Sequence, residues 1–351
     1  MKPTINLPRR EVLKAGAAGL LGIIVAAGTR NVAGAQTPSA ENVVSNLKAL
    51  RFGDGNPNYA AQWTYRLAQA LGYLSEVGIT EFTVTTTDNY IPGMVGGSLD
   101  LVHGDTNVFV SSSVASGLPM KMISIYRDSE WWILGVRKGI EVAEDLKGKT
   151  LTAGQFGGRN AWIQKQILMK LGLNPETDIQ FVPSSGGSDT WLAALLAGTV
   201  DGSTLFPRHK QPLEEAGGKF IFAERMPAPQ EAFGAMGTWL DQNRDAAYAF
   251  TLADLKARQW LFKPENKEKA YQIMIDFGYE IPDRFKANYA IELEQMSPDG
   301  GFEASDMDAF VTSLQATGGM PPNVNWREFF DLQFLWAAQD ALGLPRRPGS
   351  L

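Results

Sequence analysis

Residues 145–162 read DLKGKTLTAGQFGGRNAW, and this stretch restricts the chain more tightly than any other. The run KTLTA has the β-branched and apolar residues of a buried strand, and Gly154, Gln155, Phe156, Gly157 and Gly158 leave the backbone free to turn. From Ala161 to Leu173 the apolar residues Ile163, Ile167, Leu168, Leu171 and Leu173 recur near helical spacing, and Asn174-Pro175 ends the run. Strand, Gly-rich loop and helix N-terminus in that order converge unpaired N–H groups and the positive end of a helix dipole, which suits an anionic or polar group. Arg159 adds a charge in the first turn. A tight strand-to-helix turn with no ligand has the same composition, so both readings stand.

The rest of the chain repeats this alternation. A strand at Ala49–Gly53 leads through a Gly-Asp-Gly-Asn-Pro-Asn turn to a helix over Tyr59–Val77, with Trp63, Leu67, Leu71 and Leu74 at spacings of three and four. Glu81–Thr87 alternates as a strand and closes on Asp88-Asn89-Tyr90, and a short helix to Gly97 precedes a strand at Leu99–His103. Separate strands are expected at Lys121–Tyr126, Trp132–Val136, Ile179–Val182, Gly202–Phe206 and Lys219–Ala223, with a helix over Asp189–Gly198. Beyond residue 243 the spacing turns helical: Asn243–Phe262, Asn266–Phe277, Pro282–Leu293, Ala304–Leu314 and Asn325–Leu342. The tail Pro345–Leu351 is expected to fray. Strands separated by helices imply an α/β protein with parallel sheets and right-handed crossovers.

Ligands of open parallel sheets sit beyond the carboxyl ends of the strands. The candidate contacts there are Asn56, Asn58, Asn89, Tyr90, Asp105 and Thr106 from the first half of the chain, and Gln155, Phe156, Gly157, Arg159, Asn160, Ser188 and Phe206 from the second. Trp131 and Trp132 stand where the chain passes between the halves, and adjacent strand residues point to opposite sides, so at most one is expected to meet a ligand. Turn formation and helix capping account equally well for Asp54, Asn56, Asp88 and Asp105.

The string DLKGKTLTAG, together with RFGDGN at 51–56, LGYLSEVGI at 71–79, GGSLDLVHGDT at 96–106, GLPMKMIS at 117–124 and LLAGTVDGSTLFP at 195–207, resembles the periplasmic substrate-binding proteins of the nitrate, sulfonate and taurine family of ABC transporters. The likeness covers about residues 50–210. It implies a two-lobe periplasmic binding protein fold of type II, each lobe a mainly parallel sheet flanked by helices, with a helical C-terminal region. Residues 36–127 would form the first part of lobe one, 128–235 lobe two, and 236–351 would return to lobe one. The implied partners are a membrane permease and its cytoplasmic ATPase. Relatives of the fold also include pyrimidine-forming enzymes of thiamine biosynthesis, which keeps an enzyme as the alternative.

Composition narrows the chemistry. The 351 residues contain no cysteine and two histidines, His103 and His209, which removes disulfides, thiolate metal sites and a cysteine nucleophile. The commonest hydrolase, metallopeptidase and nucleotide-binding motifs are missing. No cofactor or metal is expected. Residues 1–35 read as a targeting segment: Lys2, Arg9, Arg10 and Lys14 precede an uncharged stretch at Ala15–Thr29, and Ala33-Gly34-Ala35 matches a cleavage site. PRREVLK within it resembles a twin-arginine export motif; an ordinary secretory signal is the alternative. Its removal takes five of the 32 basic and one of the 38 acidic side chains, leaving a net charge of about −10, which argues against nucleic acid. The expectation is a monomeric solute receptor of the periplasm, not an enzyme, for a small organic ligand with an acidic group and a flat or apolar part.

Overall fold

Leu50 and Phe52 alternate with exposed residues along the strand β1 (Ala49–Asp54), and this alternation sets which face of the sheet receives helices. The computed structural model describes residues 44–54, 63–87, 90–154 and 158–351, apart from the side chain of Arg284. Residues 1–35, read from the sequence as a targeting segment, and the candidates Asn56, Asn58, Asn89, Gln155, Phe156 and Gly157 lie outside the described residues.

The remaining strands are β2 (Glu81–Thr86), β3 (Leu101–Asp105), β4 (Met120–Val136), β5 (Lys149–Thr152), β6 (Ile179–Phe181), β7 (Gly202–Leu205) and β8 (Lys219–Met236). They form one mixed sheet in the order β2-β1-β3-β8-β4-β7-β5-β6. At one end β1 runs parallel to β2 and β3. At the other β5 runs parallel to β6 and β7. Between them β4 and β8, of 17 and 18 residues, are antiparallel to each other and to their outer neighbours.

Two strands of this length correct the expectation of a separate sheet in each half. The sequence reading divides β4 into two strands on either side of Arg127, Asp128, Ser129 and Glu130, and it ends β8 at Ala223, before Pro227 and Pro229. The structure carries both strands through. Register shifts at Ile125/Arg127 and Arg127/Ser129 mark bulges, where the ladder is already interrupted and Pro227, opposite Ser129, costs no regular hydrogen bond.

Apolar residues collect in separate cores along these strands. The largest joins β1, β3 and β4 up to Tyr126 with the C-terminal helices; Phe52 stacks on Phe250 of the helix Arg244–Leu261 at 5.5 Å between centroids. Two smaller cores form beyond Glu130. Trp132 and Leu134 pack with Ile163 and Ile167 of the helix Arg159–Lys170, whereas Ile133 packs with Leu192 and Leu195 of the helix Ser188–Leu196. C-terminal helices thus complete the core begun by the first strands, packing beside the helices Thr64–Ala70 and Thr106–Ser116.

Local differences have local causes. The expected Tyr59–Val77 helix is described as two, Thr64–Ala70 and Tyr73–Glu76, parted at Gly72 in the left-handed region. A helix at Thr106–Ser116 escapes the sequence reading because TNVFVSSSVAS is rich in β-branched and serine residues, and Phe109 and Val110 bury it regardless. The tail is not frayed: Pro348 is buried, and its carbonyl accepts a hydrogen bond from Trp336 Nε1 at 2.7 Å.

Candidate functional site

The register of the long strands brings the two parallel sets to one place. Asp105, the last residue of β3, lies opposite Glu231 of β8, which in turn lies opposite Arg127 of β4. Leu205, the last residue of β7, lies opposite Ile133 of β4. Because β3 and β7 run in opposite directions, their carboxyl ends converge on the same short stretch of β4, between residues 127 and 133. The carboxyl ends of both parallel sets of strands, where α/β proteins bind ligands, therefore open on a common crossover.

On the first wall the ionisable groups form a chain. Asp54, fully buried at the end of β1, accepts a hydrogen bond from the Tyr65 hydroxyl and lies 3.2 Å from His103 Nδ1. His103 Nε2 is 3.3 Å from Glu231 Oε2, and Arg127 reaches Glu231 at 3.7 Å and Glu292 at 3.6 Å. Burial by itself would push the His103 imidazole down, but Asp54 and Glu231 outweigh it and raise its pKa to about 10, so the two carboxylates favour the protonated imidazole. Burial also raises Glu292, against the pull of Arg127 and Arg208.

Asp105 is the exception in this chain. Its carboxylate makes no hydrogen bond or ion pair among the described residues and does not cap the helix that follows. It is accessible yet recessed: desolvation and then Glu231 raise its pKa. Tyr90, nine-tenths buried, lays its ring on the backbone of Gly104 beside it. Thr106 is fully buried, with Oγ1 donating to the Pro229 carbonyl at 3.0 Å.

The second wall begins at Gly154, where φ is +87° and a Cβ would stand 2.9 Å from the Trp191 ring, so the turn after β5 requires glycine. Arg159 opens the helix beyond it. Its Nη2 donates to Glu130 Oε1, its guanidinium lies 5.1 Å from the Phe310 ring centroid, and its Nε and Nη1 are buried without a hydrogen-bond partner among the described residues. The same Glu130 oxygen accepts Trp132 Nε1 at 2.9 Å. Trp132 is buried edge-to-face on Trp162, whereas Trp131, partly exposed, packs on the opposite core. Asn160 is partly exposed in the first helical turn.

Ser188 is buried at the start of its helix and accepts Arg208 Nη2 at 2.8 Å, and Arg208 stands 5.0 Å over the Phe206 ring. His209 Nδ1 accepts the Phe206 N–H at 3.2 Å, leaving the proton on Nε2 for Asp189 at 2.8 Å. Burial lowers this imidazole, the opposite of His103. The sequence reading did not single out Arg127, Glu130, Glu231 or Glu292; the charged run that interrupts β4 signals the first two, and Glu231 and Glu292 carry no local signal. No group of three or more His, Cys, Asp or Glu residues able to hold a metal ion occurs among the described residues.

The NMT1-like family model matches residues 67–275. The chain belongs to the NMT1-like family. It is 24% identical to YtlA of Bacillus subtilis (strain 168) over 275 residues, which is 75% of this chain and 81% of that one. It is 25% identical to the nitrate/nitrite binding protein NrtA of Nostoc sp. PCC 7120 over 296 residues, 75% of this chain, and spans only 65% of that protein's length. Among solved structures, the periplasmic sulfonate-binding protein SsuA of Methylobacillus flagellatus KT superposes with a TM-score of 0.66 at 19% identity, covering 87% of this chain and 99% of that one. The desulfurization enzyme DSZB has a TM-score of 0.59 at 12% identity, covering 84% and 99%. The fold is thus that of the periplasmic binding proteins, and it is one on which an enzyme also occurs. No helix among the described residues is long and apolar enough to cross a membrane.

Proposed function

We propose that this member of the NMT1-like family is the extracytoplasmic solute-binding component of an ABC importer. In this reading it takes up a small organic molecule between two lobes and hands it to a membrane permease driven by a cytoplasmic ATPase. The observation that carries it is the convergence of the β3 and β7 carboxyl ends on residues 127–133 of β4. Residues 36–127 and 236–351 would make one lobe and 128–235 the other, and closure would bring the two walls together. Export through the segment 1–35 would deliver the protein to the periplasm.

For the ligand, the acidic group we infer would lie at the start of the helix Arg159–Lys170, where Arg159 Nε and Nη1 have no hydrogen-bond partner among the described residues. The flat or apolar part would meet Trp131 and Phe206, both partly exposed. Asp105 adds a requirement that the sequence reading lacks: a carboxylate on the first wall with no hydrogen bond or ion pair among the described residues favours a hydrogen-bond donor on the ligand. Inorganic nitrate offers no such donor.

A thermal-shift screen of sulfonates, aromatic carboxylates and amino-substituted analogues of each tests this directly. A true ligand at 100 times its dissociation constant raises stability by about 2.7 kcal/mol. Solution scattering should then show a smaller radius of gyration, and prolonged incubation should return the compound unaltered. A chemically changed product that disappears with Asp105→Asn or Arg159→Ala would instead establish an enzyme on this fold.

A further inference from the structure

The crossover on β4 is held from two sides by arginines. Asp128 lies between Tyr126, which belongs to the first core, and Trp131 and Trp132, which pack with the others. Its Oδ1 is 3.1 Å from Arg225 Nη2 on the facing strand β8, and Arg225 Nε donates to Ser129 Oγ at 2.6 Å. Its Oδ2 is 3.5 Å from Nη2 of Arg347, in the C-terminal tail. Residues more than two hundred positions apart in the chain therefore share one carboxylate at the point where the sheet passes from one core to the next.

The tail is built to hold Arg347 there. Its guanidinium grips Asp299 through Nε at 2.8 Å and Nη2 at 2.9 Å, a two-point fork, and Nη1 reaches Glu303 at 3.3 Å. Gly301 lies so close that a Cβ would stand 2.5 Å from the Arg347 carbonyl oxygen. The segment bearing Asp299 is itself laid along β4: Ser297 N donates to the Tyr126 carbonyl at 2.9 Å, Asp128 N to Gln295 at 3.1 Å, and Ile125 N to Gly300 at 2.8 Å. Tail, segment 295–303 and crossover form one connected layer, and it lies where the bulges leave the β4 ladder weakest.

We propose that the C-terminal tail is a strap across the crossover, and that Arg347, through Asp128 and Asp299, sets how freely the two halves of the sheet move against each other. A tail that merely docks on its own lobe would need Asp299 and Glu303 but not Asp128. The strap predicts coupling between Arg347 and Asp128, which docking alone does not.

Hydrogen exchange on the ligand-free protein tests this whether or not the solute-receptor reading holds. In Arg347→Ala, amides of peptides spanning 124–131 and 222–230 should exchange several-fold faster, with the same peptides unchanged in Arg346→Ala, whose pair with Asp340 stays within the tail and its helix. In an Asp128→Asn background, Arg347→Ala should add nothing further at the crossover. Faster exchange confined to 295–303 and 343–351, or equal increments in both backgrounds, would overturn the strap. If Arg347→Ala fails to fold, Arg347→Lys serves: it keeps the charge and loses the fork, and wild-type exchange at the crossover in that variant would equally overturn it.

Discussion

Arg159 and Glu130 are joined by a charge-assisted hydrogen bond that ties the helix after the Gly-rich loop to the strand passing between the cores. Arg159 is therefore not a bare charge facing a ligand; one of its nitrogens is committed, and Nε and Nη1 are left. For an anionic ligand, Arg159→Ala should weaken binding by about 1.5–3 kcal/mol, the range for a hydrogen bond to a charged group, with the fold retained. Calorimetry on a hit from the thermal-shift screen checks it, and unchanged affinity would mean that the ligand does not use this arginine.

On the opposite wall, Asp105→Asn keeps the shape and removes the charge. Affinity should fall at least tenfold for a ligand with an ammonium or amino group and change little for its analogue lacking that group. Equal losses for both compounds would show that Asp105 acts on the wall and not on the ligand.

His103 makes stability depend on pH. Its folded pKa of about 10 lies above the ordinary 6.5, so its protonation favours the folded state fully below about pH 6.5, and this contribution is lost as pH rises toward 10. Denaturant midpoints of the wild type should decline from pH 6.5 to 9, and those of His103→Gln, lower throughout, should decline less. A wild-type profile flat across that window would mean that His103 is neutral between Asp54 and Glu231. Tyr65, whose pKa burial and Asp54 raise well above 10, contributes only beyond it.

Gly154→Ala should cost more than about 1 kcal/mol in urea unfolding, because its φ of +87° is strained for any L side chain and the new methyl would meet the Trp191 ring. Gly172→Ala, at φ +80° with open space around it, should cost less.

The reading of residues 1–35 has its own test. Replacing Arg9 and Arg10 by lysine keeps the charge and removes the guanidinium pair, so mature protein should disappear from the periplasm. Normal export of the Lys-Lys variant would make the segment an ordinary secretory signal.

Local chemistry determined the elements that could be read in advance. The glycines around residues 154–158, the apolar spacing of Ile163, Ile167 and Leu168, and the alternation at 81–86 depend on neighbours a few positions away, and the strands and helices formed where those patterns lie. Tertiary structure decided what distance along the chain conceals. The polar residues 127–130 look like a loop because their pattern fits neither core, yet β8 pairs with them and makes them the middle of the longest ladder in the sheet. Asp54, His103, Glu231, Arg127 and Glu292 come from four strands and a helix, and each alone reads as a turn, surface or strand residue. Only the register of β3, β8 and β4 brings them into one buried chain, because a charge loses its water at a buried strand end and must find its partner on whichever strand lies beside it.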